Sequence, residues 1–199
     1  EIRWTFHPDQ PASRTMRIFG GVQRNTNQAE HRDRRWSDAC VSLAGGRALL
    51  TPQGQDAIHC LDLQSGRPLW QAPRLDSQYL AATTDHAVIL VGRSTIRSLA
   101  LADGRETWPA CPLPPGASPS GRGFTAAEQY FLPLDSGEVI VVDLATGTLR
   151  QRTRSLSGSQ PGNLIACAGR IISQNVDMIE GFDQIDVALA ASAVRLKEQ

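Results

Sequence analysis

An all-β fold of about four repeated four-stranded antiparallel units, closed by a C-terminal α-helix, is what this 199-residue sequence predicts. Three observations carry that expectation. Three segments share one pattern: residues 58–70 read IHCLDLQSGRPLW, residues 96–108 read IRSLALADGRETW, and residues 139–151 read VIVVDLATGTLRQ. An apolar hairpin precedes each, SLAGGRALLT, ATTDHAVILVG and TAAEQYFLPL, and a fourth, IACAGRIISQ, follows in register. The corner glycines Gly66, Gly104 and Gly147 stand 38 and 43 residues apart, and the hairpin tips at Gly46, Asp85, Glu128 and Gly169 keep the same beat. A period near ~40 residues with several short strands in each unit marks the blades of a β-propeller.

Composition agrees with many short strands: the chain holds 17 Gly and 12 Pro, residues that punctuate turns. Its 20 basic and 20 acidic side chains cancel, so no whole-chain field draws it to nucleic acid or to an anionic membrane. No apolar run approaches the ~18 residues that a membrane span requires, and no signal peptide is visible. The chain starts at Glu1 without Met and stops within an expected helix, so it reads as a section of a longer protein.

In chain order, residues 1–35 comprise an outer strand of a preceding blade plus a polar insertion. "EIRWTF" fits the outer strand, with Trp4 in the place of Trp70. Trp4 and Trp70 are 66 residues apart, and the excess over one repeat lies in residues 7–36, a polar stretch with one apolar piece, MRIFGGV. Residues 36–182 form the blades. Each unit runs strand, tight turn, strand, turn, strand, "D-x-x-[ST/D]-G" turn, strand. Alternation in AIHCLDL sets Ile58, Cys60 and Asp62 on one face and His59, Leu61 and Leu63 on the other. Both faces are partly apolar, as a blade between two neighbours requires. Cys40 and Cys60 fall in expected strands, as small core residues.

The recurrent corner has a physical reading. Asp62 and Asp143 accept from backbone N–H groups two or so residues on and close Asx-type turns. The glycine supplies positive φ without steric cost. Trp70 and Trp108 open the outer strand and offer a ring to the neighbouring blade. Ala100 replaces the Asp in the second unit, and Gln151 replaces the Trp in the third. The motif builds blades. After MIEGF the fourth unit lacks the Gly–Trp strand, and residues 183–199 read as a helix. Asp183 is its expected N-cap, Asp186 lies in its first turn, and Ile185, Leu189 and Leu196 form one stripe.

Reactive chemistry finds no foothold. Cys40, Cys60, Cys111 and Cys167 form no C-x-x-C pair, so neither a zinc site nor a redox motif is expected. His7, His31, His59 and His86 never fall at ligand spacing and read as turn or strand-face residues. G-x-S-x-G, P-loop and H-E-x-x-H are all absent. No catalytic residue and no metal ligand is therefore assigned, and no cofactor-binding residue is identified. Three features invite functional readings beside structural ones. PPGASPSGRGF, residues 114–124, offers Gly121, Arg122 and Gly123 to an anion, or serves as an inter-blade connection. Residues 14–35 carry Arg14, Arg17, Arg24, Arg32, Arg34 and Arg35 against Glu30 and Asp33, either a docking patch for an acidic partner or nucleic acid, or a solvated surface. Trp4, Trp36, Trp70 and Trp108 would stack on a quinone or sugar, or pack between blades.

The D-x-x-[ST]-G-x-x-x-W repeat resembles the pyrroloquinoline-quinone-like (PQQ-like) β-propeller repeat, over roughly residues 36–182. Bacterial quinoprotein alcohol dehydrogenases and non-enzymatic propellers such as the outer-membrane assembly lipoprotein share it. The segments RRWSDACVSLAGGRALLTP, HCLDLQSGRPLW, SGRGF and LPLDSGEVIVVDLATG also look like a subgroup of large bacterial proteins whose repeats run into a helical, tetratricopeptide-like region. The quinoprotein enzymes would imply a vicinal Cys–Cys disulfide, Ca²⁺-binding Glu and Asn, a catalytic Asp and a Trp floor in an eight-bladed ring. No two cysteines are adjacent here, and no acidic cluster matches those ligands.

The function expected is a non-catalytic propeller section, a protein-binding or scaffolding module of a larger bacterial protein, with no cofactor. The alternative is part of a PQQ-dependent oxidoreductase. By resemblance the compartment is extracytoplasmic. A protein partner or self-association is expected, and nucleic acid is not. Four units leave two raw faces, so two arcs pair into an eight-bladed ring, or "EIRWTF" completes the last blade of a four-bladed one.

Overall fold

The computed structural model describes residues 3–8, 36–37, 39–154 and 158–183. Among them there are strands, turns and loops and no helix. The strands make four antiparallel sheets of three or four strands each, ordered as successive meanders. Most of the basic insertion and the expected helix beyond Asp183 lie outside the described residues. Asp183 itself, expected as an N-cap, ends a strand and pairs with Arg170. The chain divides into two compact units, Glu1–Pro109 and Ala110–Gln199.

In the first unit, β1 (Val41–Ala44), β2 (Arg47–Leu50), β3 (Ala57–Asp62) and β4 (Pro68–Pro73) form one blade. β5 (Ser77–Thr83), β6 (Ala87–Gly92) and β7 (Thr95–Ala100) follow in a second sheet of order β5-β6-β7-β8, whose last strand, β8 (Cys111–Pro112), lies just past the Pro109 boundary of this unit. Ile58 and Cys60, on the face that alternation assigns them, join Leu49, Val88, Leu90 and Leu99 in one core cluster between these blades. β6, AVILVG, is buried at every position. A strand covered on both faces needs such an unbroken apolar run. Trp36 seals the same core: its indole N–H donates to the Ala57 carbonyl at 3.2 Å. The adjacent Ser37 amide donates to Gln78 of the second sheet at 2.7 Å, so residues 36–37 strap the two blades together.

In the second unit, β9 (Phe124–Ala126), β10 (Gln129–Pro133), β11 (Glu138–Asp143) and β12 (Leu149–Arg154) form a four-stranded sheet. β13 (Asn163–Cys167), β14 (Arg170–Gln174) and β15 (Ile179–Asp183) form a sheet of three. The inner strands of these sheets are stitched by loops. The Leu164 amide donates to Arg122 O at 2.7 Å, and the Arg122 amide donates to Asn163 Oδ1 at 2.8 Å. The contact is so close that a Cβ on Gly121 would lie 2.5 Å from the Gly162 carbonyl carbon.

The hairpin tips occur where the repeat places them. Gly45–Gly46, Ala127–Glu128 and Ala168–Gly169 all take positive φ at both positions, 51° and 72°, 46° and 58°, 49° and 75°. That is the turn whose twist matches right-handed strands. Ala127 and Glu128 adopt it without any glycine, a strained choice that residue type alone would not suggest.

Two expectations are corrected. Cys40 is exposed and precedes β1 instead of lying in a strand. Trp108 belongs to no strand, because the outer edge of the second blade is reduced to a bridge between Leu99 and Glu106 and the two-residue β8. Pro109, Pro112, Pro114 and Pro115 explain this, since proline removes ladder donors. Trp36 is 1% exposed. Trp36→Ala is expected to cost about 3–5 kcal/mol in denaturant unfolding, with an unchanged slope if the folded state stays compact.

Candidate functional site: the blade corners and the His59 cleft

The corner geometry repeats almost atom for atom. Gly66 N–H donates to Asp62 O at 2.8 Å, Gly104 N–H to Ala100 O at 2.9 Å, and Gly147 N–H to Asp143 O at 2.8 Å. The residue after each first position reaches back to the hairpin tip: Leu63 to Gly46, Leu101 to His86, Leu144 to Glu128, at 2.8–3.0 Å. Asp62 Oδ1 accepts from the Ser65 amide and hydroxyl at 2.7 and 2.6 Å. Asp143 Oδ1 accepts from the Ala145 and Thr146 amides and the Thr146 hydroxyl, while Asp143 Oδ2 takes Arg150. The Arg150 guanidinium, then the Thr146 donors, hold the Asp143 carboxyl at about 2. Ala100 lacks the carboxylate, and its corner closes through the same backbone bonds, with Asp103 Oδ1 accepting from the Arg105 amide at 3.1 Å.

The glycines take φ between 69° and 75° at all three corners, and at two of them the space a side chain would fill is occupied by tryptophan. A Cβ on Gly104 would stand 2.6 Å from the Trp70 ring, and one on Gly66 2.5 Å from the Trp4 ring. Trp70 Nε1–H donates to Leu101 O at 3.0 Å and Trp4 Nε1–H to Leu63 O at 3.1 Å. Trp4 therefore corresponds to Trp70, although residues 3–8 carry no strand pairing. Trp36 and Trp108 are buried, so none of the four tryptophans floors an open cavity by itself.

Trp70 does contribute to one cleft. A space of about 550 Å³ on the side of the first blade facing residues 3–8 is lined by Phe6, His7, Asp56, His59, Trp70 and Gln71 among others. His59 is 8% exposed, and its Nε2 is buried without a hydrogen-bond partner. Burial holds its pKa below 6.5, and the Phe6 ring lies tilted against it at 5.6 Å. The next blade accounts for this arrangement. Arg97 occupies the position in IRSLALADG that His59 occupies in IHCLDLQSG. Arg97 Nη1–H donates to Pro73 O at 3.0 Å, and its Nε–H to Glu106 at 3.0 Å. Pro73 follows Trp70 by three residues, as His7 follows Trp4. The cleft is thus the repeat of an inter-blade seam that a long arginine fills and the shorter histidine does not.

The remaining sequence candidates resolve in the same direction. The Arg122 amide is taken by Asn163 and the Gly123 amide by the Tyr130 hydroxyl at 3.0 Å. The first bond joins two sheets and the second lies within one, and both amides are engaged rather than offered to an anion. Cys60 and Cys111 are buried thiols, with Cys60 pushed up to about 11 by burial despite nearby Arg47, a poor setting for thiolate chemistry. His86 is exposed in a hairpin tip. His31 and the arginines of residues 14–35 lie outside the described residues. Among the described residues no group of three His, Cys, Asp or Glu stands together as a metal site would require.

Two tests follow from the corners and the cleft. Gly104→Ala meets both a left-handed backbone and the Trp70 ring, whereas Gly46→Ala has φ +72° with open space around it. Both lose roughly 1–3 kcal/mol to backbone strain. Gly104→Ala is expected to unfold at clearly lower denaturant than Gly46→Ala, because only it must also displace an indole. For His59, an unfolded-state pKa near 6.5 above a lower folded one means that the unfolded chain binds more protons below pH 6.5. Stability then falls as pH drops from 6.5 toward the folded pKa. His59→Leu is expected to flatten that slope in thermal unfolding between about pH 7 and 5.

Comparison with known proteins places these features in a family. The pattern of the family described as "Outer membrane protein assembly factor BamB" matches residues 3–178. No curated protein matches the sequence. Among solved structures, BamB from Moraxella catarrhalis is 18% identical with a TM-score of 0.54, over 73% of this chain and 44% of that one. The computationally designed Ika4 protein is 13% identical with a TM-score of 0.56, over 72% and 89%. The WD40 domain of Neurospora crassa Pan2 is 11% identical with a TM-score of 0.56, over 75% and 47%. At these identities the likeness is one of fold, and the chain spans less than half the length of the BamB structure. A family match over most of the chain, with corner, tryptophan and blade repeated in the structure, shows that this chain is a PQQ-like β-propeller repeat protein belonging to the BamB family.

Proposed function

We propose that this chain is a non-catalytic propeller section that serves as a protein-binding or scaffolding module of a larger bacterial protein in the cell envelope. The observation that carries the reading is the use of its aromatic and acidic repeat residues. Trp4 and Trp70 cover corner glycines, Trp36 seals a blade-to-blade core, and Asp62 and Asp143 close turns. These are the residue types with which a quinoprotein would floor and polarise a quinone, and here they hold backbone. Membership in a family described as an assembly factor supports a role in contacts between proteins and, more weakly, an extracytoplasmic compartment.

The surface such a module offers is strand-like. β12 is exposed along its whole length and carries Arg150, Arg152 and Arg154 on one face. Arg150 is held by Asp143 at 2.9 Å and Arg152 by Glu138 at 2.8 Å. These surface pairs are worth little in stability, but they keep the guanidinium row extended beside an exposed strand, where an extended acidic peptide would pair.

Two measurements separate the readings. Titration calorimetry of the chain with PQQ in the presence of Ca²⁺ is expected to give no binding heat. A stoichiometric heat with a bound-quinone absorbance would replace the scaffold by the oxidoreductase reading. A photo-cross-linking residue in place of Arg154, in the intact bacterial protein, is expected to capture an envelope protein. Charge reversal at Arg150 and Arg152 is expected to abolish the adduct.

A further inference from the structure

The outer edges of the first three sheets are treated differently by the chain. A neighbouring blade packs on the face of a sheet, so its outer edge is left for the residues themselves to protect. β4 opens on Pro68 and ends on Pro73, neither of which can donate to an added strand. The second sheet shrinks its edge to the Leu99–Glu106 bridge and the two-residue β8. β12 has neither protection. It runs six residues without proline, is exposed at every one, and pairs with β11 alone. Leu149 pairs with Val142 where Pro68 pairs with Leu61, and Arg154 with Glu138 where Pro73 pairs with Ala57. At both positions that hold proline in β4, β12 therefore has a residue able to donate.

Charge along this edge is arranged as well. The register shift between Val141 and Val142 leaves Arg150 without a cross-strand partner, and Asp143 Oδ2 takes both its Nε–H and its Nη2–H. Past that bulge Gln151–Arg154 pair regularly with β11. Glu138 there serves two guanidiniums at once, accepting from Arg152 at 2.8 Å and attracted to Arg154. The edge is left one negative charge short. Alternation sets Arg152 and Arg154 on one face. A second β12 laid against the first would bring these arginines together, and like charges across a strand pair repel. A second copy of this chain is thus the wrong occupant, and a strand bearing carboxylates is the complementary one.

We propose that the β12 edge over Gln151–Arg154 takes a fifth strand, an extended segment of a partner protein. Its main chain pairs with β12, and acidic side chains at alternate positions face Arg152 and Arg154. Main-chain hydrogen bonds supply affinity, and the arginine spacing selects the charge pattern. This deepens the scaffold reading and rests on it, because it specifies how the module holds its partner.

The test titrates the full chain with a blocked octapeptide of alternating valine and glutamate while backbone amide resonances are followed. Saturable binding is expected, with slowed hydrogen exchange at the alternate amides of Gln151–Arg154 that point away from β11. An octapeptide of alternating valine and lysine is expected not to bind. Arg152→Glu combined with Arg154→Glu is expected to weaken the glutamate peptide about tenfold and to admit the lysine one. Because only a folded edge can exchange one preference for the other, that variant carries its own control for misfolding. Absence of binding by the glutamate peptide would overturn the proposal and leave the arginines as guards of the edge. Binding without slowed exchange would overturn it too, as attraction between charges with no strand added. Neither result removes the scaffold reading, which falls instead on a binding heat in the quinone titration.

Discussion

An indole laid over a glycine is the interaction on which the first unit depends. The glycine is required twice at once. Its left-handed φ closes the corner after the third strand, and its absent side chain leaves the hole that a neighbouring tryptophan enters. The indole N–H then finds a carbonyl three residues before that glycine, Leu63 for Trp4 and Leu101 for Trp70. Sterics thus set how closely two blades approach, and a directional bond sets their register. A purely apolar seam would supply burial but not that register, because the hydrophobic effect is non-directional.

From this constraint follows the treatment of polar groups elsewhere. Each corner carboxylate faces amides and hydroxyls of its own turn. Asp76 does the same for the β6–β7 turn: burial pushes its carboxyl up, but donors from Thr95 and Ser94 outweigh that and leave it below the usual range. Arg97, almost wholly buried, answers carbonyls of the preceding blade. His59 occupies the matching place and falls short, which leaves an unpartnered nitrogen and a cleft. Perturbed groups often mark active sites. Here the repeat gives a simpler reason, since the same position one blade on is plainly a structural bridge.

The family relationship and the geometry bear on function in different ways. The family match names an assembly factor and shows the repeat, while the fold neighbours share architecture at identities of 18% and below. A quinone site needs a floor, a cation and an acid around one void. In this chain Trp4 and Trp70 cover the Gly66 and Gly104 corners, Trp36 lies in the core between the first two blades, and Asp62 and Asp143 each close a turn of their own.

Much of the architecture was legible in the residues because its determinants are local. Asp–x–x–Ser/Thr–Gly specifies a turn within five residues, alternation in AIHCLDL specifies a face, and a beat near ~40 residues specifies stacking. The inter-blade role of Trp70 could be read as well, since an indole recurring at a fixed offset from a corner glycine marks a packing position. What the sequence could not supply are facts about neighbours distant along the chain. Ala127 and Glu128 at positive φ, the proline-shortened edge after Trp108, Gly121 pressed against Gly162, and the isolation of His59 Nε2 all depend on what another segment does nearby. The candidate site was least legible for the same reason. Whether a histidine on a strand is satisfied, or Gly121–Arg122–Gly123 offers free amides, is decided by the blade packed against it, and only tertiary structure brings that blade into contact.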